Sequence, residues 1–398
     1  MKKLLFFVFI VIIFYFAQVL FMGFFNQKII SNLEKENDFF VLKSIKYEKG
    51  FFDSNAKLEI ILKDLNNIAY TEDFINDEFN FAIFKDNIVK VDLNLKNNIF
   101  AINNIKANFS NIKSDMDFFK DEVFLHMNAR ALPFLDYKME FIFSDIKNNI
   151  NNLEMNDVKL LSFVDKNLNL KTLKLNIRYF SLNDIKIQNI EYDILQDNTN
   201  LNNLNLKNAE SNIKINNIDI LNDINVKDFN LFNEIELNKD EKTFNIHFKG
   251  LISKLNYTNY KFNDINMDLI IKNISNDFIL ELENYNNDKS LLNLFSILSR
   301  ALVFDPSMDM IFSFGSKDKN QKDIYMSIDL KSHMNLDGYD IKAYAISDVL
   351  PSQFMLELDY FDQFFVKNNN KFELNLKANQ KENIFILNGE DFDPQIDF

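Results

Sequence analysis

Residues 173–179 read LKLNIRY, with Leu173, Leu175, Ile177 and Tyr179 alternating against Lys174, Asn176 and Arg178. Strict alternation is the mark of a β-strand with one buried and one wet face, because successive side chains leave a strand on opposite sides. The same pattern returns in Phe244, Ile246 and Phe248 against Asn245 and His247, and again in Phe278, Leu280 and Leu282. Between about residues 160 and 285 no helical periodicity intervenes to serve as a crossover, so the strands are expected to pair antiparallel. The body is therefore predicted to be mainly β, an elongated, repetitive antiparallel sheet forming either a curved groove or a sandwich.

A short pattern recurs within this region. Phe143-Ser144-Asp145-Ile146-Lys147, Leu182-Asn183-Asp184-Ile185-Lys186, Leu221-Asn222-Asp223-Ile224-Asn225 and Phe262-Asn263-Asp264-Ile265-Asn266 start about 40 residues apart. That interval suits two long strands and their turns, one hairpin per repeat. Further on, Leu291, Leu292, Phe295, Leu298, Ala301 and Leu302 follow helical spacing behind Asp288, and Asp305-Pro306 ends that helix. Alternation resumes at Ile324, Met326, Ile328 and Leu330. A second helix is expected over Ser352 to Phe365, with Pro351 in its first turn and Phe354, Leu358, Phe361 and Phe365 on one side. Phe372 to Leu387 reads as a closing hairpin before Asn388-Gly389.

The N-terminus differs from everything after it. An uncharged apolar run extends from Leu4 through Phe14 to Phe25, directly behind Lys2 and Lys3. It is long enough to cross a bilayer core of roughly 30 Å as a helix, and the lysines place the N-terminus in the cytoplasm with the body outside. A cleavable signal has a shorter core and a small-x-small site. Here the small residues near the end are Ala17 and Gly23, and bulky Tyr15 stands two places before Ala17. A retained single-pass anchor over 1–25 is expected, followed by a helical stalk over 26–45, a repetitive β domain over 46–285 and a helix-plus-β region over 286–398.

Composition narrows the function classes. The net charge of −14 is spread along the chain, which disfavours a phosphate backbone as partner. There is no Cys, so packing and pairing alone must hold the body together. The three histidines, His126, His247 and His333, stand apart, with no metal-ligand spacing. Six scattered Gly give no phosphate-cradling loop, and no G-x-S-x-G elbow occurs. Asp318, Asn320 and Asp323 lack the Gly and terminal Glu of a calcium loop, and the acidic tail of Glu390, Asp391, Asp393 and Asp397 reads as solvated. No catalytic, cofactor or metal site is expected. The 44 Phe in a chain with 26% charged residues need either a large core or an apolar surface with a purpose.

One local motif stands at the junction of stalk and sheet: Tyr47-Glu48-Lys49-Gly50-Phe51-Phe52-Asp53-Ser54. Gly50 can supply a positive φ or a tight approach, Phe51 and Phe52 begin the apolar face, and Ser54 offers a local hydrogen bond. Through Tyr47, Gly50, Phe52 and Ser54 the chain resembles the YdgA-like family of bacterial envelope proteins, in which a membrane helix and stalk lead to a Tyr-x-x-Gly-x-Phe-x-Ser segment. The Leu-rich helix ending at Asp305-Pro306 and the closing strand into Leu387-Asn388-Gly389 fit the same plan. The resemblance implies a bacterial inner-membrane protein with a periplasmic body and no catalytic residues. Its long strands also look like those of AsmA-like envelope proteins, associated with lipid movement. The expected partners are the inner membrane, lipid acyl chains or envelope proteins, with self-association left open. The alternative is a periplasmic scaffold or protein-interaction module, and a hydrolase using carboxylates alone is the least supported class.

Overall fold

The computed structural model describes residues 27–28, 30, 35–36, 40–63, 87–96, 104–111, 120–131, 136–148, 152–165, 170–196, 208–221, 223–238, 242–275, 300–318 and 320–391. The expected anchor, with Leu4, Phe14 and Phe25, lies outside the described residues. Among the described residues no helix is long and apolar enough to cross a membrane. The chain forms two compact units, Met1–Asn183 and Asp184–Phe398.

The first unit contains β1 (Lys35–Glu36), β2 (Phe40–Lys49), β3 (Asp53–Leu62), β4 (Ile88–Lys96), β5 (Ile105–Ser110), β6 (Val123–Ala131), β7 (Tyr137–Phe143), β8 (Ile146–Asn148), β9 (Leu153–Asn156), β10 (Lys159–Val164) and β11 (Leu170–Leu182). Each of β1 to β6 pairs antiparallel with the next, and β6 with β7. β7 then pairs with β10 and β8 with β9, so these four are one long hairpin whose arms each carry a kink; β10 and β9 both pair with β11. Ile30 packs against Ala56, Leu58, Val89, Val91, Leu95 and Ala107, the centre of this unit's core. The predicted stalk is corrected here: residues 27, 28 and 30 are helical, but 35–36 and 40–49 are strand. Backbone pairing of β2 with β3 overrides the weak helical spacing at Phe40 and Val41.

The second unit contains β12 (Ile185–Gln196), β13 (Ala209–Ile220), β14 (Ile224–Leu237), β15 (Thr243–Tyr257), β16 (Tyr260–Ser275), β17 (Ser307–Lys317), β18 (Asp323–Asn335), β19 (Gly338–Ser347), β20 (Val366–Asn368), β21 (Lys371–Asn379), β22 (Ile384–Leu387) and β23 (Glu390–Asp391). β12 to β19 form an antiparallel meander, β19 pairs with β21, and β21 carries both β20 and β22 on its other side. The boundary expected at 285 and 286 lies outside the described residues. β17 pairs with β16 from Phe262–Ser316 to Lys272–Ser307, which ties the C-terminal region into the preceding sheet. Of the Leu-rich helix, residues 300–302 are described and helical, and the rest lies outside the described residues.

The strands of this unit share a feature that simple alternation hides. The residues on one face of β12 are Ile185, Ile187, Ile190, Tyr192 and Ile194, with a step of three between 187 and 190. The same three-residue step separates Ile215 from Ile218 in β13, Val226 from Phe229 in β14, Ile252 from Leu255 in β15 and Phe262 from Ile265 in β16. A single extra residue flips every later side chain to the other face. Here neighbouring strands slip at the same level, so the register survives: Gln188 pairs with Asn217 and Ile190 with Ile215, and Lys227 pairs with Lys254 and Phe229 with Ile252. The slip falls on polar pairs, Gln188-Asn189, Asn216-Asn217, Lys227-Asp228, Ser253-Lys254 and Asn263-Asp264. On alternate strands one member is left-handed: Asn189 (φ 53°), Asp228 (φ 51°) and Asp264 (φ 50°). Ser253 Oγ donates to Lys227 O at 3.1 Å and Asp228 Oδ2 at 2.7 Å, fastening the middle of the row. β17 has no extra residue, and its ladder takes up the difference as a register shift between Asn263 and Asn266.

The repeated pattern marks two kinds of place. Leu182–Lys186 and Leu221–Asn225 lie at the turns after β11 and β13, where Asn183 (φ 50°) and Leu221 (φ 55°) are left-handed. Phe143–Lys147 and Phe262–Asn266 are kinks within a strand instead. In the first of these Phe143 N donates to Val158 O at 3.0 Å and Asp157 N to Asp145 Oδ1 at 3.1 Å. The turn after β15 is Thr258-Asn259, so the hairpin reading fails for the fourth copy. An apolar residue, two polar residues and Ile serve equally where the chain reverses and where it slips.

The expected helix over 352–365 is two short 3-10 segments, Pro351–Gln353 and Leu356–Phe364. Met355 between them is extended, and Asp362 accepts hydrogen bonds from both the Ser352 backbone and hydroxyl, closing the turn locally. Pro351 stands in the first turn as expected. Phe354 and Phe364 are buried while Phe361 is exposed, because a repeat of about 3.0 residues per turn moves the apolar stripe.

Candidate functional site

The registers of the second unit bring one apolar row across nine strands: Tyr192, Ile213, Leu231, Gly250, Met267, Phe312, Ile328, Ala345 and Leu374, each paired with the next. Directly opposed residues in antiparallel strands share a face, so all nine belong to one surface. Eight inter-strand steps of about 4.8 Å carry the row roughly 38 Å across the sheet. A parallel row runs through Ile190, Ile215, Phe229, Ile252 and Ile265, on the far side of which the polar slip begins. The slip keeps Ile187, Ile218, Val226, Leu255 and Phe262 on the same face beyond it.

Cover over this face is uneven. At one end Phe354 lies on Phe314 with ring centroids 5.0 Å apart, and Phe314, Ile324, Met326 and Phe354 form the buried cluster of the unit. Tyr260 Oη anchors the 3-10 segment by donating to Glu357 Oε2 at 3.0 Å. On β12, β13 and β14, by contrast, no described side chain is fully buried. The Ile and Phe residues there are half-buried, shielded by their in-sheet neighbours. Gly250 sits mid-row, where Met267 and Leu231 lean over the gap it leaves.

On β13 and β14 two polar residues interrupt the face. Ser211 and Asn233 oppose each other in the row that continues through Phe248 and Leu269. Asn233 Oδ1 is buried with no hydrogen-bond partner among the described residues; Asn212 and Asn230 carry the same feature on the opposite, polar face. At the nearby strand ends a cleft of about 200 Å³ is lined by Leu195, Asn208, Ala209, Glu210, Glu234, Ile235 and Glu236.

The residues weighed from sequence fall elsewhere. Tyr47, Gly50, Phe52 and Ser54 form the tip of the β2–β3 hairpin in the first unit. Ser54 is wholly buried and its hydroxyl hydrogen-bonds the Tyr47 phenol, while burial pushes the Tyr47 phenol above its ordinary range. A Cβ on Gly50 would lie 2.0 Å from Asp53 O, so a tight approach explains the glycine. Phe51 and Phe52 do not begin the apolar face: they are 39% and 55% exposed, stacked edge to face at the turn before β3 starts. The motif is a structural clamp joining Tyr47 to Ser54 across the hairpin.

His126 and His333 lie on separate strands, and His247 faces the polar side of β15. Its Nε2 lies 2.7 Å from Asp268 Oδ1 and its Nδ1 3.9 Å from Glu234 Oε2, so both ring nitrogens face carboxylates rather than a nucleophile. Asp318 Oδ1 accepts from the backbone N–H groups of Asn320 and Lys322, each at 2.8 Å, which makes it a turn residue. Glu390 and Asp391 form an exposed edge strand; Asp393 and Asp397 lie outside the described residues. Among the described residues no three His, Cys, Asp or Glu side chains gather as a metal set would. Sequence reasoning missed Ser211 and Asn233, whose signal was two polar residues at apolar-phase positions of adjacent strands.

No protein-family model, no curated protein and no solved structure matches this chain.

Proposed function

We propose that this chain is a non-catalytic, membrane-held protein whose apolar sheet face contacts or guides lipid acyl chains, with a role in maintaining a bacterial envelope. The observation that carries the reading is the nine-residue apolar row from Tyr192 to Leu374, covered by Phe354 at one end and without a fully buried side chain on β12 to β14. A monomeric protein rarely leaves so extensive an apolar surface without a partner. The 4–25 run supports a site beside a bilayer, with the body on the periplasmic face of the inner membrane by the lysine rule. The Tyr47 to Ser54 motif, through its resemblance to the YdgA-like family, supports the same address.

The test is uptake of a fluorescent-acyl phospholipid by the full chain after delipidation in detergent. Stoichiometric uptake, lost on Leu231→Lys, is expected. A delipidated protein that stays monodisperse and takes up no labelled chain refutes the reading. A second reading, a scaffold docking another envelope protein, is favoured by one observation: Leu356, Tyr360, Phe361 and Val366 are exposed together around the last 3-10 segment. Crosslinking from that segment to one defined protein, with no lipid adduct on the sheet face, would select it.

A further inference from the structure

We propose that the apolar face carries a polar subsite at Ser211 and Asn233, which takes the uncharged hydroxyl or ester region of a diacylglycerol-type lipid. This rests on the lipid-contact reading above and adds the chemistry of the lipid to it. Ser211 and Asn233 stand opposite each other on β13 and β14, flanked by Ile213 and Leu231 on one side and by Phe248 across the next strand. A polar group among apolar neighbours is costly unless it is bonded, and Asn233 Oδ1 is buried and unpaired. An Asn amide presents an acceptor and donors side by side, and a Ser hydroxyl adds both, so the pair suits a hydroxyl or an ester equally.

Geometry sets the direction of the chains. From Asn233, the face continues through Leu231, Phe229 and Val226 to Ile224, nine residues along β14 and about 30 Å at strand rise. That exceeds the roughly 15 Å depth of one leaflet of the hydrocarbon core. An acyl chain whose polar end pairs at Asn233 is therefore accommodated without leaving the face. In the other direction only Ile235 and Leu237 remain before the strand ends.

Charge sets the headgroup. The row through the subsite runs Ile194, Ser211, Asn233, Phe248 and Leu269, and the next toward the strand ends runs Ala209, Ile235, Ile246 and Ile271, with no Lys or Arg in either. An anionic phosphate held on this face would lose water without gaining a cationic partner, whereas an uncharged lipid would not. The subsite is accordingly matched to a neutral lipid rather than to an anionic one.

The experiment uses the full chain in detergent with three pyrene-labelled probes: a diacylglycerol, a phosphatidylglycerol and an alkane of the same chain length. The wild type is expected to prefer diacylglycerol over phosphatidylglycerol. Asn233→Leu keeps the side-chain size and removes the unpaired amide oxygen, so its unfolding midpoint should hold or rise. It should weaken diacylglycerol binding about fivefold, the effect of one neutral hydrogen bond, and leave the alkane unchanged. Ser211→Val should act in the same direction. Equal diacylglycerol binding by wild type and both variants overturns the subsite while leaving the lipid-contact reading intact. Preference for phosphatidylglycerol overturns the neutral-headgroup assignment. Failure of the wild type to take any of the three probes refutes both together.

Discussion

Two glycines of this chain should respond in opposite directions to the same added methyl group. In Gly50→Ala the new Cβ would stand 2.0 Å from the Asp53 carbonyl oxygen, which is backbone and has no soft rotamer to yield. The tip of the β2–β3 hairpin must open. Opening strains the Lys49–Ser54 rung and the Tyr47 to Ser54 hydrogen bond, each worth about 1 kcal/mol net. It also separates the Phe51 and Phe52 rings, for a further ~1 kcal/mol. The expected loss is roughly 2–4 kcal/mol, confined to the first unit. In Gly250→Ala the Cβ would meet Met267 Cβ and Cε at 3.7 Å and Leu231 Cδ1 at 4.0 Å, ordinary contacts that fill the gap in the apolar row. Relief of glycine's backbone entropy should then stabilise the second unit by about 0.5–1 kcal/mol. Urea unfolding gives the signs, and hydrogen exchange of peptides covering residues 40–62 and 243–275 localises them. If Gly50→Ala leaves exchange over 40–62 unchanged, or Gly250→Ala destabilises by more than 1 kcal/mol, the packing described at that glycine is refuted.

Three further outcomes follow from single residues. Asp228→Val forces a β-branched side chain into the left-handed region (φ 51°) and removes the Ser253 acceptor, and should cost ~2–3 kcal/mol, whereas Asp228→Gly should cost under about half of that; comparable unfolding midpoints would count against the slip row. Asn388→Ala loses the bonds from Asn375 N to Asn388 Oδ1 and from Asn388 Nδ2 to Phe364 O, both at 2.8 Å, and strains a φ of 52°, so about 2–3 kcal/mol should disappear, with fast exchange in β20 and β22. The Tyr47 phenol is raised by burial, so the folded state holds its proton longer than the unfolded state. Its contribution is full below the ordinary phenol value of 10.0 and is lost as pH rises through the folded value. Wild type should therefore lose stability relative to Tyr47→Phe above about pH 10, and parallel pH profiles would show that the phenol is not buried.

How much of this was legible in the sequence depends on whether a signal was local. LKLNIRY over 173–179 declared a strand because a half-buried strand needs nothing beyond its own alternation. The closing hairpin and Pro351 were readable for the same reason. The 352–365 segment was misread as a longer helix because Phe354, Leu358, Phe361 and Phe365 fit helical spacing on paper. Asp362 bonding to Ser352 and the extended Met355 divert it, and neither competes within a periodicity count. The juxtaposition of Ser211 and Asn233 could not be seen at all without register, since only the pairing of β13 with β14 places the two residues together. The anchor, read most directly from sequence, lies outside the described residues.

The slip row was present in the sequence but looked like noise. Ile187-x-x-Ile190, Ile215-x-x-Ile218, Val226-x-x-Phe229, Ile252-x-x-Leu255 and Phe262-x-x-Ile265 each break period two once. A break in one strand would send half its apolar side chains into water. Breaks at the same level in five neighbouring strands leave the face whole and change only the local twist. The left-handed residues at those breaks follow a preference seen throughout the described residues. Of sixteen non-glycine residues with positive φ among those described, nine are Asn and four Asp, in a chain with six Gly. Asn and Asp tolerate the left-handed region through local side-chain bonding, so they do here what glycine does elsewhere, while keeping a polar group on the wet face. Asn189, Asp228 and Asp264 are thus the means by which the apolar surface passes through a line of backbone irregularity. Replacing those residues by strand-favouring Val or Thr would raise local propensity and yet break the face.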